Sequence, residues 1–367
     1  MKDKNVLIVG AGPAGCYTAH LLSAKGFNVT VVEEHEQIGK PVQCAGIVSS
    51  EIENMLDISK DYLVNKIYSA KVYGPNQCLK LNLKKPNYVI DRAKFDSHLA
   101  NKAKSKGAQV LLSHKYLSYD KGNSQAQIKD KTTGKVKKFQ THILIGADGP
   151  LSRVAKTSDL TQNKQFWTGL QVRAKIKHEN MVEFYPYIGC YAWVIPESKK
   201  VARLGVVSEK NTADLLQKFL DKRLSANDSI IDRQAGLIPK YSFFRKIQLN
   251  NTYLVGDAAG QVKALTGGGI VPGLIASRKL VESLTKNKDY DKLVRQSPGK
   301  NLLLNNFMRK SLDRFSPEDY DLLIRMLNQQ KVRKIMQETE RDFPSKYLFR
   351  IILKQPGLLR FLPKLFI

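Results

Sequence analysis

The chain has 367 residues, 42% of them hydrophobic and 25% charged, the balance of a folded protein with a large core and room for two or three domains. Global disorder, collagen-like repetition and a disulfide scaffold are excluded. With 60 Lys and Arg against 33 Asp and Glu, the net charge is +27, which calls for anionic company: phosphorylated substrates, anionic lipid or nucleic acid.

Four cysteines, Cys16, Cys44, Cys78 and Cys190, show no CxxC spacing. This argues against a zinc ribbon or an iron–sulfur ligand set, and no metal site is expected. The N-terminal apolar run passes straight into a glycine turn instead of a cleavage site. No stretch reaches the roughly 18 uninterrupted apolar residues of a spanning helix. The expectation is a cytoplasmic protein.

Val6–Val9 predicts a strand buried on both faces. It runs into Gly10-Ala-Gly12-Pro-Ala14-Gly15, a helix predicted over 16–25, and a second buried strand, Val29–Val32, closed by Glu33 and Glu34. This βαβ unit has the size of a nucleotide-binding half. Residues 66–90 loosen into short strand-like pieces around Pro75 and Pro86. A helix is predicted over 94–106, a strand over 109–112, polar hairpins over 114–140, and a buried strand over 142–145. Alternating runs at 170–176, 182–185, 191–195 and 201–207 predict an antiparallel sheet. Asn251–Val255 returns to the buried-strand pattern, and beyond 280 the composition is helical, with Ser316-Pro317 as a helix start.

Gly10-x-Gly12-x-x-Gly15 draws its force from its setting between a strand and a helix, with an acid 23 residues after Gly10. The glycines serve a tight turn, close approach of backbone to a pyrophosphate, and helix–strand packing. Ala14 lies in the same loop, the helix N-terminus offers unpaired N–H groups to phosphates, and Glu33 accepts from ribose hydroxyls. A bound dinucleotide follows. Ile145-Gly-Ala-Asp148-Gly149 and Tyr253-Leu-Val-Gly256-Asp257 each put an acid after a buried strand. Gly267-Gly268-Gly269-Ile270 then opens a helical run, where uncovered N–H groups favour negative charge on a flat ring.

Together these segments resemble the FAD-binding fold of the p-hydroxybenzoate hydroxylase and glutathione reductase superfamily. The resemblance implies FAD, with Asp257 on the ribityl chain and Arg92, in Asp91-Arg92-Ala-Lys-Phe95-Asp96, near the cofactor; read locally, Asp91 is a helix cap and Arg92 a solvated charge. The segments Pro41-Val-Gln-Cys44-Ala45-Gly46 and Tyr191-Ala-Trp193-Val-Ile195-Pro196 narrow it further: they resemble the PVxCxG loop and the YxWxFP signature of the geranylgeranyl reductase family, with Ile195 where phenylalanine is usual. That likeness spans about residues 1–285. It implies Cys44, Ala45 and Gly46 beside the flavin, and Cys44, Tyr191 and Trp193 in the reacting region. By chemistry alone, Tyr191 and Trp193 share one strand face and are either core aromatics or a wall for an apolar chain. Cys190 is expected to be inert.

The last 25 residues hold Lys346, Arg350, Lys354, Arg360 and Lys364 and no acid. The first three form one helical stripe, with Leu348, Ile351 and Ile352 on another face. Such a segment either lies on an anionic membrane surface or packs on the body. The remaining cations are dispersed and no recognition module appears, so nucleic acid is not expected as a partner.

The fold class expected is α/β. A discontinuous Rossmann-like FAD domain (1–65, 86–160, 246–285) interleaves with an antiparallel substrate sheet (66–85, 161–245), and a helical region follows (286–367). The expected activity is FAD-dependent saturation of C=C bonds in geranylgeranyl chains, on a prenylated lipid or a prenyl diphosphate. The alternatives are a monooxygenase or halogenase of the same fold and a non-catalytic lipid-binding flavoprotein. With one GxGxxG only, the electron source stays open among a nicotinamide, a ferredoxin-like donor and a chemical donor.

Overall fold

The computed structural model describes residues 4–160 and 165–365. From the N-terminus, β1 (Asn5–Val9), α1 (Pro13–Ser23) and β2 (Asn28–Val32) lead to β3 (Ile47–Ser49) and two long strands, β4 (Leu63–Tyr73) and β5 (Cys78–Ile90). Next come α2 (Arg92–Lys104), β6 (Gln109–Leu111), β7 (His114–Asp120), β8 (Gln125–Asp130), β9 (Val136–Gln140), β10 (Ile143–Gly146) and α3 (Arg153–Thr157). The second half holds β11 (Phe166–Lys175), β12 (Val182–Tyr185), β13 (Tyr191–Pro196), β14 (Val201–Ser208), α4 (Thr212–Arg223), β15 (Ser229–Pro239), β16 (Gln248–Leu249) and β17 (Thr252–Leu254). Then follow α5 (Ile270–Lys286), α6 (Tyr290–Val294), α7 (Lys300–Leu312), α8 (Pro317–Leu327), α9 (Gln330–Glu338) and α10 (Leu348–Lys354).

The β-branched runs form a six-stranded sheet in the order β16-β17-β10-β1-β2-β6. It is parallel except at its β16 edge. Val6–Val9, Val31, Val32 and Ile143–Ile145 are buried in it, as a sheet with both faces covered requires. A second sheet has eight strands, β15-β11-β14-β13-β12-β4-β5-β3, and β7-β8-β9 form a third. The α/β class is therefore realised as a parallel layer beside a largely antiparallel one.

Four details differ from expectation. Helix α1 begins at Pro13, three residues early, because proline at the first helical position surrenders no needed N–H. Two continuous strands replace the loose pieces over 66–90. Pro86 falls where the pairing jumps from Ile67–Asn87 to Ser69–Asn82, a break that needs no donor from it. The eight-stranded sheet takes in 47–49 and 63–90, a wider span than 66–85; the boundary expected at 161 lies outside the described residues. Finally, the helix expected near the C-terminus is shortened to α10, because Tyr347 departs from helical backbone angles, and 3-10 turns flank it.

Across β14 and β11, Arg203 and Arg173 stand directly opposite each other, a repulsive arrangement by itself. Glu197 resolves it, accepting from Arg173 at 2.6 and 2.8 Å and from Arg203 at 3.0 Å, while Arg173 also reaches Asp232 at 2.7 Å. Burial would raise the Glu197 pKa, but the two guanidinium groups hold it below the usual carboxylate range. Arg203 then extends to the carbonyls of Ala45 (2.7 Å) and Ile90 (3.2 Å). Replacing it removes these bonds from a buried site but leaves Glu197 with Arg173, so Arg203→Met should cost about 3 kcal/mol in urea unfolding, the lower end of the range for a broken buried pair. A loss below about 1 kcal/mol would mean that water replaces the guanidinium.

Candidate functional site

The first motif builds a cradle by steric necessity. Gly10 has φ +101°, and a Cβ there would sit 2.4 Å from the Ala147 carbonyl oxygen; a Cβ on Gly15 would sit 2.0 Å from the Gly10 carbonyl oxygen. At Gly12 a Cβ would meet nothing within 4 Å, so the backbone faces open space where α1 begins without a side-chain cap. Glu33, at the end of β2, has its Oε2 accepting from the Ala11 N–H at 2.8 Å and its Oε1 from the His35 N–H at 3.1 Å. The carboxylate is thereby fixed beside the loop.

The later motifs converge on the same place. A Cβ on Gly256 would come 2.9 Å from the Ala14 Cβ, and one on Gly273 would come 3.4 Å from the Gly256 Cα. The Asp257 carboxylate lies against Gly269, the uncapped start of α5. Two helix N-termini therefore point into one cleft, the electrostatics that an extended anionic cofactor requires. Asp148 also lines the cleft, and its carboxylate accepts from the Ser152 hydroxyl (2.6 Å) and from the N–H groups of Arg153 (2.7 Å) and Val154 (3.0 Å). It thereby fixes the start of α3, whose N-cap is Ser152. Burial leaves its pKa raised despite these bonds.

A third group forms the far wall. The Gly46 N–H donates to the Cys44 sulfur at 3.3 Å, and the thiol lies within hydrogen-bonding reach of Arg92. Arg92 is not a solvated charge: it makes a bidentate pair with buried Asp96 at 2.9 and 3.0 Å. Burial disfavours its charge, but Asp96 and Cys44 outweigh burial and hold its pKa above the ordinary value. Asp91 caps α2 by accepting from the Lys94 N–H at 3.1 Å. The Trp193 indole donates to Gln171 at 3.1 Å and lies over Gly205, where a Cβ would be 2.2 Å from the ring.

Tyr191 is 2% exposed, stacked on Phe184 and tilted against Trp193, and its hydroxyl has no hydrogen-bond partner among the described residues. That hydroxyl points at Gly267, where a Cβ would stand 2.2 Å from it. Burial, assisted by Cys190, drives its pKa well above the ordinary phenol value. Cys190 lies behind this wall, its carbonyl accepting from Arg309 at 2.5 Å and its thiol pushed up by burial to about 11.

One cleft of about 960 Å³ is lined by every site residue expected from sequence except Gly15, which is packed beneath the loop. Its cradle, fixed acid and paired helix N-termini fit FAD, and part of its remaining wall is an apolar patch of Val182, Phe184, Trp193 and Ile195. Residues without a motif complete it. Arg203 latches the Cys44 loop, and Gln171 orients Trp193. Lys263 and Arg341 also line the cleft. The only sequence signal for Arg203 and Lys263 is a single cation in an otherwise apolar run.

The FAD-binding domain family matches residues 3–286. Digeranylgeranylglycerophospholipid reductase 3 of Methanosphaera stadtmanae is 29% identical, the alignment covering 96% of each chain. Digeranylgeranylglycerophospholipid reductase 1 of Methanococcoides burtonii is 28% identical over 88% of this chain and 87% of its own. Among solved structures, a geranylgeranyl bacteriochlorophyll reductase-like protein of Thermoplasma acidophilum superposes with a TM-score of 0.85 at 23% identity, covering 99% of both chains. A triple mutant of a flavin-dependent brominase superposes at 0.75 and 16% identity, covering 96% of this chain and 99% of its own. At such identities these structures speak for the fold alone. The cradle, the fold and a match over more than three-quarters of the sequence agree: the chain belongs to the FAD-binding domain family.

Proposed function

We propose that this chain is an FAD-dependent reductase that saturates C=C bonds in the geranylgeranyl chains of membrane-lipid precursors. The observation that carries the reading is a single cleft with an FAD cradle at one end and an aromatic and aliphatic wall at the other. Similarity along nearly the whole chain to reductases of digeranylgeranylglycerophospholipids supports it.

Gly10, Gly12 and Ala14 would receive the pyrophosphate, Glu33 the ribose and Asp257 the ribityl chain, while Gly267–Ile270 would face the ring's pyrimidine edge. FAD, when bound and reduced, supplies hydride to one alkene carbon. Arg92 and the latched Cys44–Gly46 loop define the opposite side of the ring site. Val182, Phe184 and Trp193 exclude water and orient the apolar chain. The Tyr191 hydroxyl, aimed at Gly267 and without a hydrogen-bond partner among the described residues, is the protic group of this wall and is assigned to protonate the second carbon.

The FAD-loaded protein, reduced anaerobically with dithionite, should add two hydrogens per double bond to geranylgeranyl diphosphate or digeranylgeranylglycerol phosphate, read by mass spectrometry. Return of both lipids unchanged by fully reduced protein would reject the reading and promote the oxygenase. Tyr191→Phe keeps the ring and removes the proton, so kcat should fall by about 10²- to 10⁴-fold with FAD binding intact. An unchanged kcat would reduce Tyr191 to packing.

The C-terminal segment gives this activity a membrane face. Ile351 and Phe361 are buried against the body, so the segment packs, yet it leaves Phe349 and Leu353 more than 60% exposed, with Leu359 and Leu362 beside them. Lys346, Arg350, Lys354 and Arg360, interspersed with them along the chain, are exposed as well. No helix among the described residues is long and apolar enough to cross a membrane; an interfacial contact with anionic lipid fits this pattern. The protein should co-sediment with anionic vesicles and not with neutral ones, and Phe349→Ser with Leu353→Ser should weaken that binding about tenfold or more. Equal sedimentation of wild type and double variant would remove the membrane face.

A further inference from the structure

Arg341 comes from a part of the chain without any motif, yet it lines the cleft together with Val48, Ser49 and Lys263. Its neighbours explain how it is held there. Asp342 is buried in an ion pair with Lys263 and accepts from the Ser49 hydroxyl. Glu340 accepts from the Ser50 hydroxyl at 2.5 Å and lies 3.8 Å from Lys85. Both flanking carboxylates are thus committed to other groups. Burial holds the Arg341 pKa below its ordinary value, its Nε is buried without a hydrogen-bond partner, and among the described residues no carboxylate forms an ion pair with it. Asp342 and Glu340 favour its charge only through space, so a guanidinium in a cleft whose nearest carboxylates are bonded elsewhere gains from an arriving anion.

We propose that Arg341 binds the phosphate group carried by the prenyl substrate, and so fixes which end of the chain enters the cleft. A planar guanidinium suits this task, since it can meet two phosphate oxygens at once. Lys263, neutralised by Asp342, positions the segment and leaves Arg341 as the charge on offer. The inference rests on the reductase reading for the identity of the chain, and on Arg341's surroundings for the phosphate.

Equilibrium binding to the FAD-loaded protein separates the two. Arg341→Gln should weaken geranylgeranyl diphosphate about 10- to 100-fold, while binding of uncharged geranylgeraniol changes less than about threefold. Arg341→Lys should recover part of the loss. Equal weakening of both ligands, or none, overturns the proposal, as does loss of FAD from Arg341→Gln with the folded signal intact, which would assign the arginine to the cofactor. Inorganic diphosphate binding as tightly as the prenyl ester would overturn it in favour of a free-phosphate site. If binding follows Arg341 but no double bond is reduced, the reductase reading fails and the phosphate site stands.

Discussion

The structure depends on one close approach. Ala14, Gly256 and Gly273 meet so tightly that a methyl group on Gly256 would stand 2.9 Å from that of Ala14. This contact sets the start of α1 and the start of α5 side by side at the C-terminal ends of β1 and β17. Each helix begins without a side-chain cap, so their N–H groups and dipoles are directed into the cleft. Gly10 and Gly15 add the same logic one layer deeper, against Ala147. Side chains were removed wherever backbone had to approach backbone, and a long, doubly anionic cofactor fits what remains.

The second sheet is attached to this frame through charge. Arg203 lies on β14 but bonds the carbonyls of Ala45 and Ile90, so the Cys44 loop is held to the second sheet. A cation buried there is tolerable only because Glu197 faces it, and Glu197 in turn neutralises the opposing Arg173. Its depressed pKa records how strongly the two guanidinium groups compensate its burial. The register of β11 against β14 and the position of Cys44 are thereby linked.

How much of this could be read from residues divides by range. Local rules sufficed for the βαβ unit, the glycine cradle, the Asp91 cap and the Ser316 cap, because each depends on neighbours a few residues apart. The long strands over 63–90 were obscured by Pro86, whose missing donor falls at a break in pairing that only the partner strand reveals. Asp148 has the same sequence setting whether it faces a cleft or a helix start, and it does both, lying on the cleft wall and bonding the first N–H groups of α3. Arg92 was ambiguous because Asp96, its partner, is equally readable as a solvated i,i+4 neighbour; burial makes the pair part of the site.

The C-terminal region shows why motif content is a poor guide to proximity. A phosphate cradle requires glycines at fixed spacing because backbone geometry does the work, and such spacing leaves a trace. Placing a cation in a cleft requires only that its neighbours be anchored, and Asp342 and Glu340 are anchored by Lys263, Ser49 and Ser50, residues that lie about 80 and 290 positions away. No local pattern records those distances. The buried Lys263–Asp342 pair is weak evidence for stability, since desolvation offsets most of its attraction. Its consequence is geometric: with the Ser49 bond it ties the segment after α9 to β3 and to the loop before α5, and leaves Arg341 on the wall of the cleft.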